Sequence, residues 1–215
     1  MKKVLLIGDS IRKGYDAYTR DRLAGVAEVL YPEENCRFAE YVLRYLIEWS
    51  EQLGVGAELD VIHWNAGLWD CLRLYGEGTL TPVDIYARFI EKIQQRIVRF
   101  FPNAKVIFAT STPVVEHLWP DPRKAMRYNA DIEAYNAAAL AALEPYHVYV
   151  DDLYALMKDV PESMHSDQTH FYTPEGTKRI GEHVSRLILD VLSFSDESAL
   201  KTAGSNYAPD SVLGI

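Results

Sequence analysis

The sequence has few of the features that mark disulfide-stapled or metal-binding proteins. It contains two cysteines in 215 residues, and Cys36 and Cys71 do not stand at the Cys-x-x-Cys or Cys/His spacings of zinc sites. His147, His165 and His183 have no carboxylate or cysteine at metal spacing either. We therefore expect free thiols, no disulfide framework, no metal and no other cofactor.

Runs of lysine or arginine are also absent. The chain carries 22 basic and 31 acidic residues, which gives a formal charge of −9 at pH 7. This charge repels the phosphates of nucleic acids and the anionic headgroups of membranes. We expect neither a nucleic acid nor a membrane as a partner.

No apolar stretch is long enough to span a bilayer. The apolar run near the N-terminus stops at Gly8-Asp9-Ser10, so it is shorter than the core of a signal peptide, and it lacks a small-residue cleavage site. We expect a cytoplasmic protein that begins at Met1. The sequence leaves the oligomeric state open.

Three common motifs of enzymes are missing. The chain has no Gly-x-Ser-x-Gly elbow, no Walker-type phosphate loop and no Gly-x-Gly-x-x-Gly fingerprint. Their absence disfavours an α/β-hydrolase fold, nucleotide hydrolysis and dinucleotide binding, respectively.

The composition is that of one globular domain. Hydrophobic residues make up 48% of the chain and charged residues 25%, and this length buries one substantial core but hardly two. After about residue 194 the chain becomes polar and rich in small side chains. We expect a single domain over residues 1–194 and a polar C-terminal tail over residues 195–215.

Strand and helix patterns alternate along this domain. Short β-branched runs predict five strands buried on both faces, over residues 3–7, 26–30, 59–64, 105–110 and 146–150. Apolar residues at three- and four-residue steps predict helices over 38–49, 83–97 and 132–143. Thr173-Pro174-Glu175 combines an N-cap, a proline at the first helical position and an acid, so it begins a fourth helix that continues to about residue 192. The alternation predicts a three-layer α/β/α sandwich with a five-stranded parallel sheet.

The first candidate site follows the first strand. Ligands of open parallel sheets bind beyond the carboxyl ends of the strands, and there the chain has Gly8-Asp9-Ser10. A serine that begins the next helix can act as a nucleophile, with backbone N–H groups at the helix start stabilising an oxyanion. The alternative is that Asp9 and Ser10 merely cap the helix.

The second candidate site immediately precedes the last helix. Asp167 and His170 lie three residues apart in one loop. A serine hydroxyl needs an imidazole to accept its proton and a carboxylate to hold that imidazole in the correct tautomer. We therefore predict Ser10 as nucleophile, His170 as general base and Asp167 as the residue that orients it.

These two segments resemble the first and last sequence blocks of the SGNH/GDSL hydrolases. The resemblance extends over about residues 3–192 in the order of elements. It implies a flavodoxin-like parallel sheet and hydrolysis of carboxylic esters, in a family that includes lipases, thioesterases, arylesterases and carbohydrate acetylesterases. It does not select a substrate.

The two middle blocks of that family are altered in this chain. In place of the second-block glycine stands a segment that contains Cys36, whose backbone N–H we expect to serve the oxyanion beside that of Ser10. The third block, usually Gly-x-Asn-Asp, becomes Asn65-Ala66-Gly67-Leu68-Trp69-Asp70. Aligning the strand ends places Asn65 on the family's glycine and Gly67 on its asparagine, whereas aligning Gly67 with that glycine places Trp69 on the asparagine. We expect Asn65 to donate to the oxyanion, and Asp9 and Trp69 to lie among the substrate-binding residues.

Other polar and aromatic residues have a plainer interpretation. We expect His63, inside a predicted strand, to be a core histidine. Trp69 and Trp119 stand where they could line the crevice or pack in the core. A basic segment before the third predicted helix is typical of a solvated face, with a site for an acidic substrate as the alternative; it consists of Arg123, Lys124, Arg127 and Tyr128.

Three functions are compatible with these residues. The leading hypothesis is an esterase that acts on a small-molecule ester with a small or medium acyl group, such as an acetylated carbohydrate or similar metabolite. The second is a lipolytic or thioester hydrolase with a longer acyl pocket. The third is a catalytically weakened binding module of the same fold, which the altered middle blocks favour and the retained Ser10, Asp167 and His170 disfavour.

Overall fold

Seven strands are present in the computed structural model, which describes residues 1–193. Five of them form a parallel sheet in the order β2-β1-β3-β5-β7, while β4 and β6 pair as a separate antiparallel ribbon. The predicted tail over residues 195–215 lies outside the described residues. The strands are β1 (Lys2–Ile7), β2 (Ala27–Leu30), β3 (Val61–Trp64), β4 (Arg73–Leu74), β5 (Lys105–Ala109), β6 (Ala125–Met126) and β7 (Tyr149–Asp151).

Helices cover both faces of the sheet. On one face α1 packs against α6, and on the other α3 packs between α2 and α4. This arrangement confirms the predicted three-layer α/β/α sandwich. The helices are α1 (Ser10–Arg22), α2 (Ala39–Gln52), α3 (Val83–Phe100), α4 (Asn129–Leu143), α5 (Leu153–Met157) and α6 (Pro174–Ser193).

The central strands supply the core. Every residue of β3 is buried, and so are the last four residues of β1, as expected for strands covered on both faces. The carboxyl ends of these strands open onto one edge of the sheet, where the loops that follow them meet. Within residues 1–193, no helix is long and apolar enough to cross a membrane.

Some predicted boundaries were wrong. The last strand begins at Tyr149 rather than at residue 146, because Glu144–Tyr146 forms a 3₁₀ turn and His147 adopts a left-handed conformation with φ of 51°. The β4–β6 ribbon was not predicted, since two-residue strands show no periodicity. In contrast, the predicted start of α6 is confirmed, because the Thr173 Oγ1 accepts the N–H of Gly176 at 3.1 Å.

Candidate active site

The turn between β1 and α1 presents Ser10 to the crevice. Asp9 is the N-cap of α1, and its Oδ1 accepts the N–H of Ile11 at 2.9 Å. Because Asp9 performs the capping, the Ser10 hydroxyl is left free to interact with His170. Asp9 is completely buried, so the expectation that it contacts substrate was wrong. Its carboxylate instead holds the first turn of α1, which begins with Ser10.

Three side chains form a continuous chain of hydrogen bonds. The Ser10 Oγ lies 2.8 Å from His170 Nε2. On the other edge of the ring, His170 Nδ1 lies 2.8 Å from Asp167 Oδ2 and 3.0 Å from Oδ1. The fold thus brings together residues that are 160 positions apart in the sequence, in the geometry of a nucleophile, a base and an orienting carboxylate.

The loop of His170 holds Asp167 as an anion. Partial burial alone would raise the pKa of the Asp167 carboxyl, but the backbone N–H of Thr169, the His170 imidazole and the His170 N–H lower it below its ordinary value. The two N–H groups reach Oδ1 at 2.7 Å and 2.9 Å, respectively. A carboxylate fixed in this way favours the imidazole tautomer with the proton on Nδ1, which leaves Nε2 to accept the proton of Ser10.

Tyr172 is a residue of the site that the sequence did not indicate. Its hydroxyl donates to the Ser10 carbonyl at 2.6 Å, and its ring stacks on the His170 imidazole with 4.7 Å between centroids and 22° between planes. The only available signal was its place two residues after the histidine, which does not reveal a contact to a serine in another loop.

Asn65 lies directly beside the nucleophile turn. Its backbone N–H continues the sheet by donating to the Ile7 carbonyl at 3.0 Å. Its side chain packs on Gly8, where an added Cβ would stand 2.0 Å from Asn65 Oδ1. Burial raises the pKa of Asp9, and the Ile11 N–H and the Asn65 amide act against this rise. The amide is therefore held in place at the carboxyl end of β3, next to Ser10.

Cys36 does not offer the free donor that the sequence suggested. Its backbone N–H donates to the Gly8 carbonyl at 3.1 Å, so this group joins the loop after β2 to the turn between β1 and α1. The Cys36 thiol is buried, which raises its pKa to about 11. The next residue, Arg37, has a φ of 51°, a conformation that glycine adopts most easily.

The loop after β3 places Gly67 and Trp69 in different roles. Gly67 has a φ of 148°, and an added Cβ would stand 2.6 Å from Ser111 Oγ, so the loop requires glycine there. Trp69 packs edge-on against Phe38 with 5.4 Å between ring centroids. Both aromatic side chains are half-buried, and together they form an apolar wall next to the strand ends.

Comparisons with solved structures agree with this architecture. A lipase/acylhydrolase from Enterococcus faecalis superposes with a TM-score of 0.69 at 20% identity, over 87% of this chain and 95% of that one. A GDSL-like lipase from Bacteroides thetaiotaomicron gives 0.68 at 18% identity over 88% of each chain. An acetyl xylan esterase gives 0.65 at 18% identity, over 86% of this chain and 99% of that one. The chain has the fold of the SGNH/GDSL hydrolases. Its sequence matches no family profile and no curated protein.

Within this SGNH/GDSL fold the basic segment is divided between surface and interior. Arg123, Lys124 and Tyr128 are exposed as expected. Arg127 was expected on the same solvated face, but only 8% of it is exposed. Sequence periodicity could not distinguish it from its neighbours, because the segment carries no regular pattern before α4 begins.

His63 is a core histidine, as predicted. Its Nε2 lies 2.8 Å from Asp151 Oδ2, and His183 Nε2 lies 3.0 Å from the other oxygen of the same carboxylate. Burial alone would raise the pKa of Asp151, but the hydrogen bonds and charges of these two histidines lower it to about 2. The cluster joins β3, β7 and α6 inside the SGNH/GDSL sandwich.

Proposed function

We propose that this chain is a member of the SGNH/GDSL hydrolases and hydrolyses carboxylic esters with Ser10 as its nucleophile. The observation that carries the proposal is the hydrogen-bonded series from Ser10 Oγ through the two nitrogens of His170 to the Asp167 carboxylate. The shared fold supports it.

The reaction follows from this geometry. Ser10 Oγ attacks the ester carbonyl while His170 Nε2 accepts the hydroxyl proton, and Asp167 stabilises the imidazolium that forms. Collapse of the tetrahedral intermediate breaks the bond to the alcohol, which takes the proton from His170 and leaves an acyl-serine. Water then attacks this ester with His170 again as base, which releases the acid and restores Ser10.

The oxyanion requires fixed donors at the same edge of the sheet. The N–H of Ser10 is in the first turn of α1, where it has no partner in the helix, and the Asn65 amide lies beside it. The N–H of Cys36 already serves the Gly8 carbonyl. We infer an oxyanion hole whose principal donors are Ser10 and Asn65.

For the substrate we propose an ester with a small acyl group, such as an acetylated carbohydrate or metabolite. The apolar wall of Trp69 and Phe38 suits the face of a sugar ring or a short acyl chain. One structural neighbour is named an acetyl xylan esterase. Other neighbours are named lipases, which favours a longer acyl chain as the second candidate. The intact series of hydrogen bonds disfavours a pure binding module.

Labelling with a fluorophosphonate tests the nucleophile directly. The probe reacts with serines that a neighbouring base activates, so we expect it to modify Ser10 in the parent and in a Ser163→Ala control, whose serine is exposed and outside the site. Mass spectrometry identifies the modified residue. Equal labelling of a Ser10→Ala variant would contradict the proposal.

A panel of p-nitrophenyl esters of graded chain length, measured beside acetylated sugars, tests the substrate. We expect the highest kcat/KM for acetyl and other short acyl groups. A maximum at long chains would instead support the lipolytic candidate. Turnover of none of these esters, with no labelling of Ser10, would favour the binding module.

A further inference from the structure

Arg127 connects the two loops that flank Ser10. It directly follows β6, and its Nε donates to the Leu68 carbonyl in the loop after β3. Its Nη1 donates to Thr169 Oγ1 at 3.5 Å, in the loop that carries Asp167 and His170. The guanidinium therefore lies in the wall of the candidate active site, beside the residue that precedes the general base.

The charge of this guanidinium has no direct counter-ion. Buried arginines are ordinarily paired with a carboxylate, and completely buried Arg12 follows this rule, as does the more exposed Arg73. Arg12 pairs with Asp16 at 2.5 Å, and Arg73 binds Asp131 through two bonds of 2.7 Å and 2.9 Å. Among residues 1–193, Arg127 forms no ion pair with any carboxylate.

The carboxylates near Arg127 do not bind it directly. Asp9 and Asp167 act on it only through longer-range attraction. Asp9 accepts the N–H of Ile11, and Asp167 holds His170. The thiol of Cys71 is buried, which raises its pKa to about 12, so it carries no charge at neutral pH. An unpaired cation remains at the crevice.

The guanidinium also keeps an unused edge. Its Nη2 forms no hydrogen bond within the described part of the chain, and it is not sealed from solvent. The guanidinium carbon lies over the ring of Trp119, 5.6 Å from the ring centroid. A planar fork held in this way by an aromatic ring is suited to receive the two oxygens of a carboxylate.

We propose that Arg127 is a specificity-determining residue that binds an anionic group of the ester substrate, with a carboxylate as the group that fits best. This inference rests on the ester hydrolysis proposed above and adds a substrate class to it. The substrate is then an ester of a dicarboxylic acid, or an acyl ester whose alcohol carries an acidic group.

Matched esters test this preference and locate the charge. The acyl side is probed by p-nitrophenyl hemisuccinate against p-nitrophenyl methyl succinate, which differ only in a masked carboxylate. The alcohol side is probed by acetylated lactate against its methyl ester, and by acetylated glycerol phosphate for a phosphate. We expect the parent to favour the anionic member of at least one pair by kcat/KM.

Variants at two arginines then separate recognition from structure. In Arg127→Gln we expect the anionic-to-neutral ratio of kcat/KM to fall by about tenfold to a hundredfold, the usual loss of a charge-assisted hydrogen bond, mostly through KM. Arg127→Lys keeps the charge but loses the planar fork, so its anionic-to-neutral ratio of kcat/KM should lie between those of the parent and Arg127→Gln. Arg123→Gln removes an exposed arginine of the same segment and should keep the ratio of the parent. An equal loss for both members of each pair would show a purely structural role and overturn the inference.

A binding measurement keeps this inference separate from the proposed function. Titration calorimetry of p-nitrophenyl hemisuccinate with Ser10→Ala needs no turnover, and we expect tighter binding than for the methyl succinate ester. The added Arg127→Gln change should abolish that difference. Failure of Ser10 to react with a fluorophosphonate would contradict the esterase alone, whereas equal binding of both esters by Ser10→Ala, together with no preference for the anionic lactate or glycerol phosphate esters, would overturn the role of Arg127.

Discussion

The Tyr172 hydroxyl donates to the backbone carbonyl of Ser10 at 2.6 Å, while the ring of the same tyrosine stacks on His170. One side chain therefore contacts both the proposed nucleophile and the proposed general base. Burial is the main cause that raises the pKa of Tyr172, to about 12, so the hydroxyl remains a donor at neutral pH.

Replacing Tyr172 tests whether this contact positions the catalytic pair. In Tyr172→Phe the ring stays and the hydrogen bond to Ser10 is lost, so we expect kcat to fall by about threefold to tenfold, in line with one neutral hydrogen bond, with little change in KM. Tyr172→Leu also removes the stacked ring, so its kcat should fall further. If both variants keep the kcat of the parent and only lower the melting temperature, Tyr172 merely stabilises the fold.

The unequal roles of His170 and Asp167 lead to unequal losses. His170→Ala removes the base, and we expect a loss in kcat on the order of 10⁶, whereas Asp167→Ala leaves the imidazole and should lose about 10⁴. His117→Ala, at an exposed histidine that pairs with Glu162 and not with Ser10, His170 or Asp167, is the control and should match the parent. Equal losses for the two catalytic variants would mean that the carboxylate does more than orient the ring.

Asn65 tests the oxyanion hole. Removing one side-chain donor to an oxyanion costs on the order of 10² to 10³ in kcat, with a much smaller effect on KM. We expect this loss in Asn65→Ala, with fluorophosphonate labelling of Ser10 retained, and none in the exposed control Asn103→Ala. If kcat of folded Asn65→Ala stays within about threefold of the parent, well below that loss, Asn65 is structural.

Asp70, in the loop after β3, caps the N-terminus of α2. The N-cap residue of α2, Phe38, provides no side-chain bond, and the Ala39 N–H is instead accepted by Asp70 Oδ2 at 3.1 Å and Oδ1 at 3.3 Å. Burial raises the pKa of Asp70 from 3.8 to about 7, and the bond from Ala39 only partly offsets it. The folded protein thus binds the proton of Asp70 more tightly than the unfolded chain does.

The sign of this shift predicts how stability depends on pH. The stabilising contribution of protonated Asp70 is complete below about pH 4 and is lost as the pH rises through about 7. Asp70→Asn is neutral throughout, so we expect its free energy of unfolding, relative to the parent, to improve between about pH 4 and 7 and to level off above that. This window lies above the region where lowered pKa values such as that of Asp151 matter. Urea unfolding at several pH values checks this, with exposed Asp159→Asn as control; parallel curves for Asp70→Asn and the parent would contradict it.

Local patterns in the sequence were sufficient to predict the framework and to select the three residues of the proposed triad. Strand and helix periods predicted the five-stranded sandwich because each element must bury one or two apolar faces. Ser10 after the first strand, and Asp167 with His170 before a capped helix, are local signals at places that the parallel topology brings to the same edge. Their meeting within hydrogen-bond distance follows from that topology.

Only the tertiary structure decided which groups around this core are free and which are engaged. The Cys36 N–H is used by the Gly8 carbonyl, Asp9 is sealed behind Ser10, and Asp70 caps α2 from another loop. Arg127 is buried beside the crevice and not exposed on the solvated face where it was expected. Each outcome depends on a partner that is distant in the sequence. Contacts between distant segments leave no periodic pattern in the sequence, so sequence analysis could not predict them.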